Sequence, residues 1–200
     1  VKRATPWLIK KRQQFVSQGA LYTPYTIQSG RACLFKGQLY ALKLGHMPKA
    51  SILIRPPHLF IFNPTEKPSQ SAYKEQLKSW LSEQAHLYIT PRVHRIAKHY
   101  NVAPNHIRFK ALRSRWGSCS IKKNLNFNIY LMMAPPAVIN YVIVHEICHL
   151  KELNHSSKFW DLVIETCPHF KRQVTWLKRY GPLLQLDHDY PELLAQYTTQ

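Results

Sequence analysis

The sequence predicts an α+β fold, with a small N-terminal β-rich layer beside a mainly helical core. Three observations predict it. Residues 20–64 hold short apolar runs punctuated by Gly30, Gly37 and Gly45 and closed by Pro56-Pro57 and Asn63-Pro64, the signature of strands joined by turns. From 69 to 101 the apolar residues switch to helical spacing. Between 106 and 130 they alternate again, before a second helical stretch opens at Pro135-Pro136.

Each element follows from its residues. Strands are expected at Tyr25–Ile27, Ala32–Leu34, Leu39–Leu44, Ser51–Arg55 and Leu59–Phe62. Ser69 or Ser71 can cap the first helix, on which Leu77, Leu81 and Ala85 recur every fourth residue. Pro91 is expected to break or kink it, with Val93, Ile96, Ala97 and Tyr100 resuming the period. Ile107, Phe109 and Ala111 alternate with charged residues, and Leu125, Phe127 and Ile129 with asparagines, as on half-buried strands. Trp116-Gly117-Ser118-Cys119-Ser120 between them predicts a turn. A long helix is expected over 136–152, with Val138, Tyr141, Val142 and Ile147 buried. Asn154 ends it, and helices at 157–167 and 170–180 follow, the last stopped by Gly181-Pro182. The pattern divides the chain into a β-rich region, 1–68, and a metal-bearing domain, 69–200, which could also fold as one compact unit.

The composition is that of a folded globular protein, 45% apolar and 12% aromatic over 200 residues. Its charge is lopsided: 28 Lys and Arg against 10 Asp and Glu give a formal net charge of +18. Such a surplus attracts polyanions, so nucleic acid and nucleotides are partners to consider alongside peptides. The basic residues are spread along the chain rather than gathered in a polybasic tail. Cys33, Cys119, Cys148 and Cys167 form no C-x-x-C pair, which leaves a four-cysteine zinc site unsupported. The apolar patch Trp7-Leu8-Ile9 is too short for a signal-peptide core, and no run approaches 18 apolar residues. The expectation is a cytoplasmic protein with reduced thiols and no membrane partner.

The chemistry concentrates in His145-Glu146-Ile147-Cys148-His149. Histidines four apart share a helix face, so both imidazoles can grip one ion, most naturally zinc. Glu146 lies about 100° further round the helix, where its carboxylate reaches a water on the ion rather than the ion itself. In a chain with 11 His such a motif is expected by chance about 0.02 times, and about 0.001 times with a further histidine ten residues on. His155 supplies that histidine. A straight helix would carry it roughly 15 Å along the axis, out of reach. The chain must therefore break near Leu153-Asn154, where asparagine tolerates a left-handed turn. Three ligands leave one coordination position open, the mark of a catalytic site. Asp161, Glu165 and His169 are other candidates for third ligand, and Cys148 for the fourth ligand of a closed structural site.

A second dense feature is Arg113-Ser114-Arg115-Trp116-Gly117-Ser118-Cys119-Ser120. Small residues beside a glycine let a ligand approach the backbone. Arg113 and Arg115 could hold an anionic group, with Trp116 and Ser118 completing a substrate-binding set. On a strand the two arginines would share one face. The alternative is an ordinary turn with a packed tryptophan.

The run from His145 to Ser156, followed by Phe159-Trp160, resembles the YgjP-like metallopeptidase family. Arg115-Trp116-Gly117-Ser118-Cys119-Ser120 and the Pro135-to-Val144 approach match it too. The likeness is strong over about 105–165 and general in the N-terminal strands. The family is similar to SprT-like and other zincin metalloproteases. The resemblance implies a zincin-like core, one zinc ion held by His145, His149 and His155, and Glu146 as general base. The metzincin turn glycine falls at Glu152 here, so the turn must be made otherwise, at Asn154.

Three functions compete. The first is a zinc peptidase whose substrate pairs with an exposed strand edge, for which 107–113 is the candidate. The second is a nucleotide phosphoanhydride hydrolase, with Lys110, Arg113 and Arg115 neutralising phosphate charge. The third is a nucleic-acid-binding module with a non-catalytic metal, against which the intact Glu146 argues.

Overall fold

The structure is a computed structural model that describes residues 26–186. It is α+β, as the sequence predicts. Four strands open it: β1 (Ala32–Phe35), β2 (Gln38–His46), β3 (Ser51–Arg55) and β4 (His58–Asn63). Their order in the sheet is β1-β2-β4-β3, with β2 and β4 parallel and the outer pairings antiparallel. The first predicted strand does not form. Thr26 and Ile27 are not in a strand, Ile27 bonding instead to the Gln70 side chain through both its N–H and its carbonyl. Tyr25 lies outside the described residues.

Alternation gives this sheet two unlike faces. Leu42, Leu59 and Ile61 are fully buried beneath α1 (Gln70–His99). Lys43, Leu53, His58, Phe60 and Phe62 take the opposite face. α1 is capped by Ser69, whose Oγ accepts from Ala72 N at 3.2 Å. It runs on through Pro91 without the break that is one of the two outcomes expected there. The ring sits on the exposed side, and Leu87, whose carbonyl loses its helical partner, is 64% exposed, so water can serve that carbonyl.

A second sheet follows, with order β5-β7-β6: β5 (His106–Lys110), β6 (Gly117–Cys119) and β7 (Asn124–Asn128). The predicted turn at 116–120 is therefore largely strand β6. It pairs antiparallel with β7, Gly117 opposite Phe127 and Cys119 opposite Leu125. Glycine and serine suggest a turn locally, but the ladder to β7 outweighs that weak preference. The turn proper comes later, ending at Lys123 with φ of 55°. The buried Asn128 side chain donates to the carbonyls of Leu112 and Arg115 and accepts from Leu112 N and Tyr130 N, which fixes the loop before β6.

A buried 3-10 segment, Ile129–Met133, leads to α2 (Pro136–Cys148). The β1–β2 turn is tied to it: Lys36 N donates to Met132 O and Gly37 N to Met133 O. Gly37, with φ of 76°, lies so close to Pro135 that a Cβ would approach its Cα to 2.9 Å. Two more helices, α3 (Ser157–Thr166) and α4 (Phe170–Tyr180), pack on α2. One hydrophobic cluster runs from Leu34 and Leu42 through α1 to Ile147 and Phe159. Among the described residues no helix is long and apolar enough to cross a membrane.

Candidate metal centre

α2 is apolar on every side, which suits a helix packed all round. Pro136 opens it at a position where the missing N–H costs nothing. The helix ends at Cys148, four residues before the predicted end, and His149 caps it. The reason lies in the backbone that follows. Lys151 N and Glu152 N both turn back to Cys148 O, and the Glu152 carbonyl meets His149 Nδ1 at 2.9 Å. Asn154 does not adopt a left-handed conformation. Its side chain accepts from Ser156 N at 3.2 Å, and Ser156 in turn caps α3 through Phe159 N. This turn brings His155 back to the helix end.

The three imidazoles converge, with ligand nitrogens within 4.8 Å of one another. His145 Nε2 and His155 Nε2 stand 3.2 Å apart. Two nitrogens on a tetrahedral zinc, each about 2.05 Å from it, would be about 3.3 Å apart. Phe159 touches all three rings, at centroid distances of 5.0, 4.5 and 4.8 Å. Trp160 stacks on His155 at 5.7 Å. The bond from His149 Nδ1 to a carbonyl makes Nδ1 the protonated nitrogen and leaves Nε2 as a lone pair. Tyr141 OH lies 3.5 Å from His145 Nδ1 on the far side of that ring. Burial, with His149 and His155 adding like-charge repulsion, drops the His145 pKa to about 3. Burial lowers His149 too. Neutral imidazoles at ordinary pH are the metal-binding form.

Glu146 is only 5% exposed, and its Oε2 has no hydrogen-bond partner. Burial pushes its pKa up to about 8, while Arg115 pulls it down. An unpartnered carboxylate oxygen inside a protein is costly unless a cation or donor arrives. Three converging imidazoles, with that carboxylate on the residue next to the first, are a donor set that fits a divalent cation. The carboxylate lies against Gly117 of β6, where a Cβ would stand 2.5 Å from Oε1 and 2.6 Å from Cγ. Only glycine leaves that space.

The other predicted residues scatter. Residues 111–116 are irregular, with bends at 113, 114 and 116, so Arg113 and Arg115 need not share a face. Arg115 is the one whose charge reaches Glu146. Arg113 is exposed, with its carbonyl accepting from Gln185. The Trp116 ring packs against Gly181 and the core. Ser118 Oγ accepts from Asn126 on β7. Cys148 is buried on α2, beside Tyr100, and Glu165 pairs with His99 at 2.9 Å. Neither they, nor Asp161, nor His169 joins the histidine group. Sequence reasoning missed Gly117 as a contact of Glu146, Phe159 as the floor of the histidine cluster and the Glu152 carbonyl. Only Tyr141 carried a usable signal, standing four residues before His145 on one helix face.

The family model described as YgjP-like, metallopeptidase domain matches residues 1–180. The chain belongs to the YgjP-like family. Membership makes it a metal-dependent peptidase in the broad sense and implies a divalent metal, for which the histidine group is the fitting donor set. Two similar solved structures are metallopeptidase zymogens. Abylysin of Pyrococcus abyssi aligns with TM-score 0.42 at 20% identity, over 50% of this chain and 97% of its own. Jannalysin of Methanocaldococcus jannaschii aligns with TM-score 0.41 at 26% identity, over 48% and 96%. No functionally curated protein matches the YgjP-like chain.

Proposed function

We propose that this YgjP-like protein is a zinc peptidase in which His145, His149 and His155 hold the ion and Glu146 is the general base. One observation carries the reading: a buried carboxylate with an unpartnered oxygen sits one residue from a cluster of three converging imidazoles. When bound, the ion would lower the pKa of a water and polarise the substrate carbonyl.

The chain's own residues supply the rest. Glu146 Oε2 takes a proton from the attacking water and returns it to the departing amine, so the carboxylate is regenerated. A carboxylic acid with a raised pKa is suited to that second transfer. Gly117 keeps the carboxylate against β6. That strand is hydrogen-bonded to β7 on one side and belongs to an edge of its sheet. An extended peptide added to β6 would run past Glu146, whereas β5, the edge expected from sequence, lies on the other side of β7. Arg115 is the feature that favours the nucleotide reading, since a second cation beside Glu146 would suit phosphate.

Parallel assays with zinc-loaded protein separate the two. A fluorogenic peptide library should be cleaved and nucleoside triphosphates should not. Glu146→Gln should retain zinc while the rate drops roughly 10²–10⁴-fold. Triphosphate turnover that vanishes in Glu146→Gln, with no peptide cleaved by the parent, would reverse the assignment.

A further inference from the structure

The four-stranded sheet has a solvent face that the metal centre does not use. Three cross-strand rows make it up. Ala41, His58 and Arg55 stand side by side, then Lys43, Phe60 and Leu53, then Gly45, Phe62 and Ser51. The central strand β4 thus presents His58, Phe60 and Phe62 in line. Their ring centroids are 5.9 and 6.0 Å apart, and the Phe60 and Phe62 planes differ by 7°. Neither phenylalanine packs on the hydrophobic core, and Leu53 beside them is 45% exposed. Phe62 leans across Gly45, where a Cβ would meet the ring at 2.8 Å. A glycine on a strand interior is unfavourable. Here it makes room for an aromatic ring to lie over the neighbouring strand.

Charge says what such a face could take. Lys43 flanks the ring row on β2 and Arg55 flanks it on β3. Among the described residues neither forms an ion pair, and the strands β1 to β4 contain no Asp or Glu. Nine of the ten acidic residues lie in the 69–200 region that carries the metal centre, and the tenth, Glu66, follows the end of β4. An apolar partner would leave the two cations without a counter-charge, and a duplex would keep its bases stacked out of reach of the rings. Single-stranded nucleic acid brings planar bases and a phosphate backbone together, and aromatic rows edged by cations are how such strands are held.

We propose that this sheet face binds single-stranded nucleic acid, with bases stacking on Phe60, Phe62 and His58 and phosphates meeting Lys43 and Arg55. The site is independent of the peptidase reading. It would tether a hydrolase to nucleic acid, so that proteins bound to the same strand become its neighbours.

The test is fluorescence anisotropy of the full, zinc-loaded chain. Probes are a labelled oligo-thymidylate and an oligo-uridylate of about 15 nucleotides and a blunt duplex of the same length. Single strands should bind more tightly than the duplex. Phe60→Ala with Phe62→Ala should weaken single-strand binding about tenfold or more, the loss expected for removed stacking. Lys43→Glu with Arg55→Glu should weaken it and flatten the dependence of log K on log salt by about 0.7 per lost phosphate contact. Unfolding temperatures close to the parent's will show that these outer-face variants fold. Three results would overturn the proposal: no binding at low salt, equal affinity for duplex and single strand with no response to the phenylalanine pair, or an equal loss from Lys171→Glu with Lys178→Glu on α4.

Discussion

Eight of the thirty residues of α1 are buried, and they form one stripe from Tyr73 to Ala97. Nine of the thirteen residues of α2 are buried, and they go all the way round it. α1 can tilt or bow without uncovering much, and it carries a proline in its middle. α2 is gripped by the second sheet, by α1, α3 and α4. Two of the three converging histidines, His145 and His149, leave from the last turn and the cap of the gripped helix. A site that must hold nitrogens to a fraction of an ångström belongs on such an element.

The contrast can be broken most severely from inside α2. Ile143→Ala removes a fully buried side chain and should cost about 2–5 kcal/mol in urea unfolding. Gly117→Val should leave the fold and the zinc content largely intact but push the Glu146 carboxylate aside, lowering kcat about 10²-fold. Zinc content below the parent's would mean that β6 supports the ligands rather than Glu146. Tyr141→Phe tests how the first histidine is oriented. The contact is long at 3.5 Å, so the loss in zinc affinity, measured by competition with a chelator, should be about tenfold, the low end for such partners. On α1, Leu87→Ala at the exposed side should change stability by less than about 0.5 kcal/mol. A large loss there would remove the distinction between the two helices.

The end of α2 also sets how the metal-free chain responds to pH. Glu146 titrates near 8 when folded against an ordinary 4.5, so the folded state keeps a proton the unfolded chain has released. Its contribution to stability is full below about 4.5 and is lost as pH rises toward 8. His145 does the reverse: titrating near 3 rather than 6.5, it stabilises above 6.5 and loses that contribution as pH falls toward 3. Between about 4.5 and 6.5 the two slopes oppose each other. Chelator-treated protein should therefore show a plateau there, with stability falling on both sides. A monotonic curve from pH 3 to 9 in urea titrations would contradict these two shifts.

The histidines and Glu146 were legible because helical spacing along a contiguous stretch dictates which side chains meet. His155 needed only the argument that the chain must turn. The place of that turn was not legible. It is set by the Glu152 carbonyl reaching His149 Nδ1, a bond between a side chain and a backbone group that no residue preference announces. β6 was hidden for a related reason. Gly117 and Ser118 have weak strand preference, and their ladder depends on Phe127 and Asn126 further along the chain. The closeness of Gly117 to Glu146 joins residues 29 apart in sequence, which periodicity does not register. Pro91 misled because the cost of its missing N–H falls on the solvent side of α1.

The two hydrogen bonds from the β1–β2 turn to Met132 and Met133, together with the close seat of Gly37 on Pro135, have a consequence for how this protein can be inherited. A recombination event that parted the chain near residue 68 would strip both methionine carbonyls of their donors just ahead of α2. It would also uncover Pro135, the residue that precedes that helix. The β1–β2 turn and the approach to α2 are thus joined through backbone groups, which no side-chain substitution removes. A chain that kept α2 but lost this turn would leave two buried carbonyls without their donors, at about 1–3 kcal/mol each.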